Sequence, residues 1–380
     1  MPGHKGQAPA GVPEALKKMY RYDITEIAGA DNLYEPEGII AASEEIAGEI
    51  FGAKTYYCTE GSSLAIKAML YLALRHYENV HGGADGGSCS SGAGAQAGLS
   101  VISVGKCHKA FYHAAELLNL SVVCVDTDGC DFDGDFSAVA GVAGERVIGA
   151  YVTYPDYFGR VYDLTALKKA LEAYDIPLLV DGAHSAYFKF LQGEYAEGYP
   201  APIDCGADAV CSSAHKTLPA LTGAAYLHLS DSFKDVFGTV KHAFDLFGSS
   251  SPSYLIMASL DAFNGEAEEF RERLGFFGGK VSKLKAELTE MGFSVSKSDP
   301  MRIVVTSDER FNGEDYAKAL RAVNCEPECF DRDYVIMMLS PYNSEEDLRR
   351  IKEAFGLLIE GSEKLCDKAD RGYDCLVNFK

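Results

Sequence analysis

Six residues, Ser212 to Thr217 (SSAHKT), concentrate groups able to do covalent chemistry. They follow a largely apolar run, Ala207 to Cys211, whose composition predicts a buried strand. Lys216 therefore stands where the chain leaves a strand, with hydroxyls and an imidazole around it. A lysine amine whose neutral form is accessible can form a Schiff base with an aldehyde. Ser212, Ser213, Thr217 and His215 are candidate donors to a phosphate. Taken alone, the same letters fit a solvated lysine after an edge strand, since surface lysines are the norm.

A second run gives Lys216 company. Ile176 to Asp181 (IPLLVD) predicts another buried strand that ends in a carboxylate and is followed by Gly182, Ala183 and His184. In an open α/β sheet, ligands sit beyond the carboxyl ends of the strands, so Asp181 and Lys216 are expected at one edge. An aspartate facing a pyridinium nitrogen keeps it protonated and makes the ring an electron sink. A lysine with such an aspartate is the pair that pyridoxal phosphate chemistry requires. The plainer alternatives are a turn cap for Asp181 and a satisfied structural role for His184.

Two further positions point the same way. Glu60-Gly61-Ser62-Ser63 lies between a predicted strand and a predicted helix. Backbone amides at a helix N-terminus, with two hydroxyls, suit a phosphate, although serine is also a common cap. His108 follows the predicted strand Leu99 to Val104 and opens a helix, where its imidazole could stack on a planar ring. His113, Lys106 and Lys109 read as surface residues.

The elements that must position these groups alternate from about residue 43 to 247. Apolar runs at 55–58, 99–104, 121–125, 147–153, 176–181, 207–211 and 224–229 are separated by helical patterns. This predicts an α/β fold with a mainly parallel seven-stranded sheet and helices on both faces. From Ser251 the pattern shifts. A long helical stretch from Pro252 to about Met291 precedes strands at 302–306, near 325–329 and at 334–339, with helices at 313–322 and 344–358. The expected organisation is an N-terminal segment (1–42), a large domain (43–250) and a small α+β domain (251–380). The Gly/Ser/Ala-rich stretch 82–98 reads as an inserted surface loop.

Composition narrows the function. The chain has 380 residues and 47% of them are apolar, enough for a large core. A net charge of −21 argues against nucleic-acid or anionic-membrane partners. No segment has the length and apolarity of a membrane helix, and MPGHKGQAPAG has no apolar core of a signal peptide. The eleven cysteines are scattered. Several, such as Cys58, Cys124 and Cys211, lie in apolar runs and read as buried thiols of a cytoplasmic protein. No pair has zinc-ligand spacing, and no metal is expected.

An ordered set of motifs gives the chain a family. PGHKG at Pro2, DITE at Asp23, GSS at Gly61, CHKA at Cys107, YPDYFGRVYDL at Tyr154, PLLVDGAH at Pro177, GADAVCSSAHKTLPALT at Gly206, SPSYLIMASLD at Ser251 and YVIMMLSPYN at Tyr334 occur in family order. Together they resemble the ornithine/lysine/arginine decarboxylases, pyridoxal phosphate enzymes of fold type I, the aspartate-aminotransferase fold. The resemblance implies that Lys216 carries the cofactor, Asp181 pairs with its ring nitrogen, and His108 and Ala183 cover its two faces. Ser62, Ser63, Ser213 and His215 surround its phosphate, and His184 lies near its phenolic oxygen or the substrate carboxylate. Ser250 and Ser251 reach the phosphate of a neighbouring subunit, which implies a homodimer with sites at the interface. PGHKG lies near the site entrance. The family run DEAHGAH reads DGAHSAY here, with Gly182 in place of an acid and Tyr187 in place of a histidine. Family members carry a C-terminal domain and an N-terminal wing that find no counterpart, so a short form is expected.

The implied function is decarboxylation of arginine, lysine or ornithine, with a proton returned to the α-carbon by Lys216 or His215. The alternatives are an aminotransferase or lyase of the same fold, a different amino-acid substrate, and a silent regulatory paralogue.

Overall fold

A computed structural model describes residues 2–82, 98–126, 137–144 and 146–361. The Gly/Ser/Ala-rich expectation falls mainly on 83–97 and lies outside the described residues, as does 362–380. The chain divides into two compact units: Met1–Pro155 with Val161–Glu268, and Asp156–Arg160 with Glu269–Lys380.

The first unit is built on a seven-stranded sheet. Its strands are β1 (Lys54–Cys58), β2 (Ser100–Val104), β3 (Ser121–Val125), β4 (Val147–Thr153), β5 (Leu178–Asp181), β6 (Ala209–Ser212) and β7 (Ala225–Leu229), in the order β1-β7-β6-β5-β4-β2-β3. Pairing is parallel from β3 through β6 and antiparallel where β7 meets β6 and β1. Such a sheet is covered on both faces, which is why its central strands are apolar runs rather than alternating ones. Helix Gly61–His81 covers one face, where Tyr151, Leu179, Cys211 and Leu227 share one apolar cluster with Leu70, Ala73 and Phe111. Tyr226 and His228 line the opposite face against Phe51.

One polar residue in the run before β6 has a local task. Asp208 is buried, and its Oδ2 accepts from Lys168 Nζ and from Leu178 N, each at 2.7 Å. Its own N–H donates to Leu178 O. These bonds tie the starts of β5 and β6 together and fix their register, so that the strands end side by side at Asp181↔Cys211.

The second unit holds a four-stranded antiparallel sheet, β10-β11-β9-β8, from β8 (Ser294–Ser296), β9 (Arg302–Thr306), β10 (Cys329–Phe330) and β11 (Tyr334–Met338). Helices Gly313–Ala322 and Glu345–Glu360 both open on capping boxes, from Asn312 with Asp315 and from Ser344 with Asp347. Each box satisfies amide groups that a bare helix end leaves unpaired, worth about 1 kcal/mol. Arg302 is buried: its Nη1 donates to the Asp156 and Tyr157 carbonyls, at 2.8 and 3.0 Å, and its Nε lies 3.4 Å from Asp299 Oδ2. The segment Asp156–Arg160 is thereby held in this unit.

Three details differ from expectation. Cys124 is exposed rather than buried, because β3 is the edge strand of its sheet. The short strand Ser294–Ser296 is exposed or half-buried, so its sequence carries no apolar run. The strand expected from Cys325 narrows to Cys329–Phe330. Asn324 takes a positive φ of 59° and Cys325 N bonds back to Leu320 O, so this stretch closes a helix instead.

His228 supplies a measurable consequence of this core. It is buried on β7 with Nδ1 2.9 Å from Thr55 Oγ1. Burial pushes its imidazole down to about 3, with a smaller push from the Lys189 charge. The folded value lies below the unfolded one, so this contribution to stability is complete above about pH 6.5 and is lost as pH falls towards 3. The expected slope is about 1.4 kcal/mol per pH unit. Urea unfolding of wild type and His228→Phe from pH 7 to 4.5 should show a flatter pH dependence in the variant. Equal slopes would remove His228 as the cause.

Candidate active site

The carboxyl edge of the central strands gathers the residues singled out above. β5 ends on Asp181, which is 2% exposed. Its Oδ2 accepts from the Tyr151 hydroxyl at 2.9 Å, and its Oδ1 accepts from Ala183 N at 3.1 Å and from the Cys211 thiol at 3.6 Å. A buried carboxylate must be compensated by such donors. One strand over, β6 ends at Ser212, and the single helical turn Ala214–Thr217 brings Lys216 round to the same edge. Lys216 is exposed, and its Nζ lies 3.2 Å from His184 Nε2. Among the described residues no ion pair ties the amine to a carboxylate.

A second cluster forms an anion cradle. Gly61 opens helix Gly61–His81 with φ +72°, a left-handed conformation that favours glycine. Its N–H donates to Gly223 O at 2.8 Å. Ser62 Oγ and Ser213 Oγ are both buried and 2.6 Å apart, joining the ends of two elements 151 residues apart in sequence. His215 is fixed by its Nδ1, which donates to Ala224 O at 2.8 Å, and its Cε1 lies 3.8 Å from where a Gly61 side chain would begin. The helix N-terminus, the two hydroxyls and this imidazole converge on one place suited to a phosphate.

His108 caps helix Lys109–Leu117, its Nδ1 accepting from Ala110 N at 3.2 Å. That bond leaves Nδ1 unprotonated. Partial burial pushes the imidazole below its ordinary value; the Asp181 carboxylate opposes this and the Lys216 charge reinforces it. All three groups therefore share one electrostatic neighbourhood, and His108 stays neutral at neutral pH. Ala183 is buried beside Asp181. Ser63 is exposed and makes no bond to this group among the described residues. Ser250 and Ser251 are also exposed, just beyond a tether: Ser249 N donates to Glu60 Oε1 at 2.6 Å and Tyr34 OH donates to Ser249 O.

The strand pattern did not disclose Tyr151 or the role of Cys211, because both read as core. The available signal was a polar-tipped aromatic inside the apolar run of β4, two residues before its end. DGAHSAY departs from the family run at Gly182, Ser185 and Tyr187, and these positions are packed together with their neighbours. A side chain on Gly182 would begin 2.5 Å from Ser185 Oγ and 3.1 Å from the Cys211 carbonyl, so a larger residue there would require Ser185 to move. Tyr187 is 2% exposed and packs edge-on against Phe188.

Residues 136–274 match the family model described as Orn/Lys/Arg decarboxylase, major domain. The chain is similar to this family over that stretch, which holds Asp181, His184 and Lys216. It is 28% identical to the Bacillus subtilis protein YaaO over 341 residues, covering 83% of this chain and 65% of that protein. It is 25% identical to a Bacillus subtilis arginine decarboxylase over 388 residues, covering 93% of this chain and 72% of the relative. Among solved structures, a Francisella novicida lysine decarboxylase superposes with a TM-score of 0.72 at 17% identity, covering 93% of this chain and 56% of that one. The chain thus spans less than two thirds of the length of YaaO and of the lysine decarboxylase. The fold is that of the pyridoxal phosphate-dependent decarboxylases and transferases.

Pyridoxal phosphate is the cofactor this family and fold imply, and the residues present fit it. The Gly61 turn offers an anion site, Asp181 a buried carboxylate at the sheet edge, and Lys216 an amine free of carboxylate partners among the described residues. Gly61→Ala tests the cradle. An alanine at φ +72° is strained by about 1–2 kcal/mol; if the turn unwinds to relieve that strain, binding must restore it, so the affinity for pyridoxal phosphate should fall by up to about 5–30-fold. Binding of pyridoxal, which lacks the phosphate, should change little. An equal loss for both ligands would mean the turn does not hold the phosphate.

Proposed function

We propose that this protein removes the α-carboxylate of a basic amino acid (arginine, lysine or ornithine) as carbon dioxide, with pyridoxal phosphate as cofactor. The observation that carries this reading is the convergence of Lys216, His184, Asp181 and His108 at the carboxyl edge of β5 and β6. The relative named arginine decarboxylase supports the substrate class.

Bound pyridoxal phosphate supplies an electron sink for the pair left by the departing carbon dioxide. Asp181 provides the counter-charge that keeps the ring nitrogen protonated. His108, neutral and fixed by its bond to Ala110 N, offers an uncharged planar surface to one ring face, and Ala183 a small side chain to the other. The Gly61 turn, Ser62, Ser63, Ser213 and His215 hold the phosphate. Lys216 would hold the cofactor through its amine and supply a proton for the α-carbon; His215 is the second candidate proton source. His184 orients the Lys216 amine through Nε2 and receives the substrate carboxylate. Ser250 and Ser251 complete the phosphate site of a second copy, so the working form is a homodimer. Residues 1–42 lie at the entrance. Among the described residues no helix is long and apolar enough to cross a membrane, and we assign the enzyme to the cytoplasm.

The test is direct. The protein loaded with pyridoxal phosphate is incubated separately with arginine, lysine and ornithine, and carbon dioxide and the matching amine are measured. One of the three should yield both products, and Lys216→Ala should yield neither. An absorbance band near the visible edge without amine from any substrate would assign the site to another reaction of this fold. A protein left colourless by excess pyridoxal phosphate would overturn cofactor binding itself.

A further inference from the structure

The carboxylate of Asp181 is surrounded by donors from its own chain in a way the family motifs do not describe. Tyr151 is fully buried and its ring stacks on Phe111, centroids 4.3 Å apart and 30° between planes. The register Thr153↔Asp181 places Tyr151 two residues before Asp181's cross-strand partner, hence on the same face of the sheet. Its hydroxyl reaches Asp181 Oδ2 at 2.9 Å, while Cys211, the cross-strand partner on the other side, turns its thiol to Oδ1 at 3.6 Å. Burial, and then the Asp181 charge, keep both the phenol and the thiol protonated. Each is therefore a donor and never a competing anion.

We propose that Tyr151 is a positioning residue that sets how strongly Asp181 holds a cationic ring nitrogen. A fixed donor on Oδ2 fixes the plane of the carboxylate and draws density from it. A proton shared between Asp181 and a ring nitrogen then rests on the nitrogen, the state in which the ring is the better electron sink. Without the hydroxyl, Asp181 turns more freely, holds a proton more tightly and competes with the ring for it. This inference rests on the reading that Asp181 faces the cofactor's ring nitrogen, and the experiment separates the two.

Full-length wild type, Tyr151→Phe and Asp181→Asn are each loaded with pyridoxal phosphate labelled with 15N in the ring. The nitrogen chemical shift is followed from pH 6 to 9, and the dissociation constant is measured by absorbance titration. Wild type should show a protonated nitrogen throughout. Tyr151→Phe, which keeps the stacked ring, should move the shift towards the unprotonated value as pH rises and weaken binding roughly tenfold, the effect of one lost hydrogen bond to a charged group. If Asp181→Asn leaves shift and affinity unchanged, Asp181 does not face the nitrogen and both readings fall. If Asp181→Asn moves them and Tyr151→Phe does not, only the Tyr151 proposal falls. Phe111→Leu removes the stacking partner and keeps the hydroxyl. It should leave the shift in place, and a displacement as large as that of Tyr151→Phe would mean that packing, not the hydroxyl, sets the site.

Discussion

A carboxylate held almost wholly out of water at the end of a buried strand is the constraint around which the first unit is arranged. Burying such a charge without compensation costs several kcal/mol, and the fold compensates Asp181 from three directions. A tyrosine comes from β4, a thiol from β6 and a backbone amide from the turn that follows. Each requires its neighbouring strand to end at the right residue. The register from β4 to β6 is therefore a condition for the charge to exist there, as well as a result of apolar packing. Asp208 at the opposite end of β6 helps to set that register through Lys168 and the Leu178 amide. A polar residue at the start of β6 thus helps fix where Asp181 arrives at the end of β5.

The same edge separates charges by kind. Asp181 is deep, donor-rich and shielded, while Lys216 is exposed and faces the imidazole of His184. A carboxylate in place of His184 would lock the amine as an ion pair and hold it protonated. An imidazole can accept from the ammonium or leave the amine to react. The anion cradle is built from a helix N-terminus, the Ser62 and Ser213 hydroxyls, and His215, whose Nδ1 is committed to a carbonyl. A phosphate, a cationic ring nitrogen and a reactive carbonyl would thus each find a group of suitable charge and solvation at this edge.

Much of this was legible in the letters. Lys216, Asp181 and His108 announce themselves because a reactive side chain directly after an apolar run has little structural reason to be there, and the parallel sheet then brings such ends together. The central strands were legible because a strand buried on both faces is continuous and apolar. Tyr151 was hidden because a buried tyrosine in a strand looks like core, and its hydroxyl's partner lies 30 residues away. The pairing of Ser62 with Ser213 spans 151 residues and no local pattern encodes it. The strand Ser294–Ser296 was missed because it is half-solvated and short, so it carries neither an apolar run nor a clean alternation.

The departures at Gly182 and Tyr187 bear on substrate recognition. Family members place an acid where this chain has Gly182, yet the space there is filled by Ser185 Oγ, the Cys211 carbonyl and Val210. The serine hydroxyl in turn donates to the Gly182 carbonyl at 3.2 Å, so the turn is closed by its own atoms. Tyr187, in place of a second histidine, faces Phe188 inside the core. Two polar positions beside His184 have thus become packing positions. Any group that recognises the distal amine or guanidinium of a basic substrate must then come from outside this turn. On the proposed function, selectivity among basic amino acids and the chemistry at Asp181 and Lys216 would be set by different parts of the molecule, and a substitution that alters one need not disturb the other.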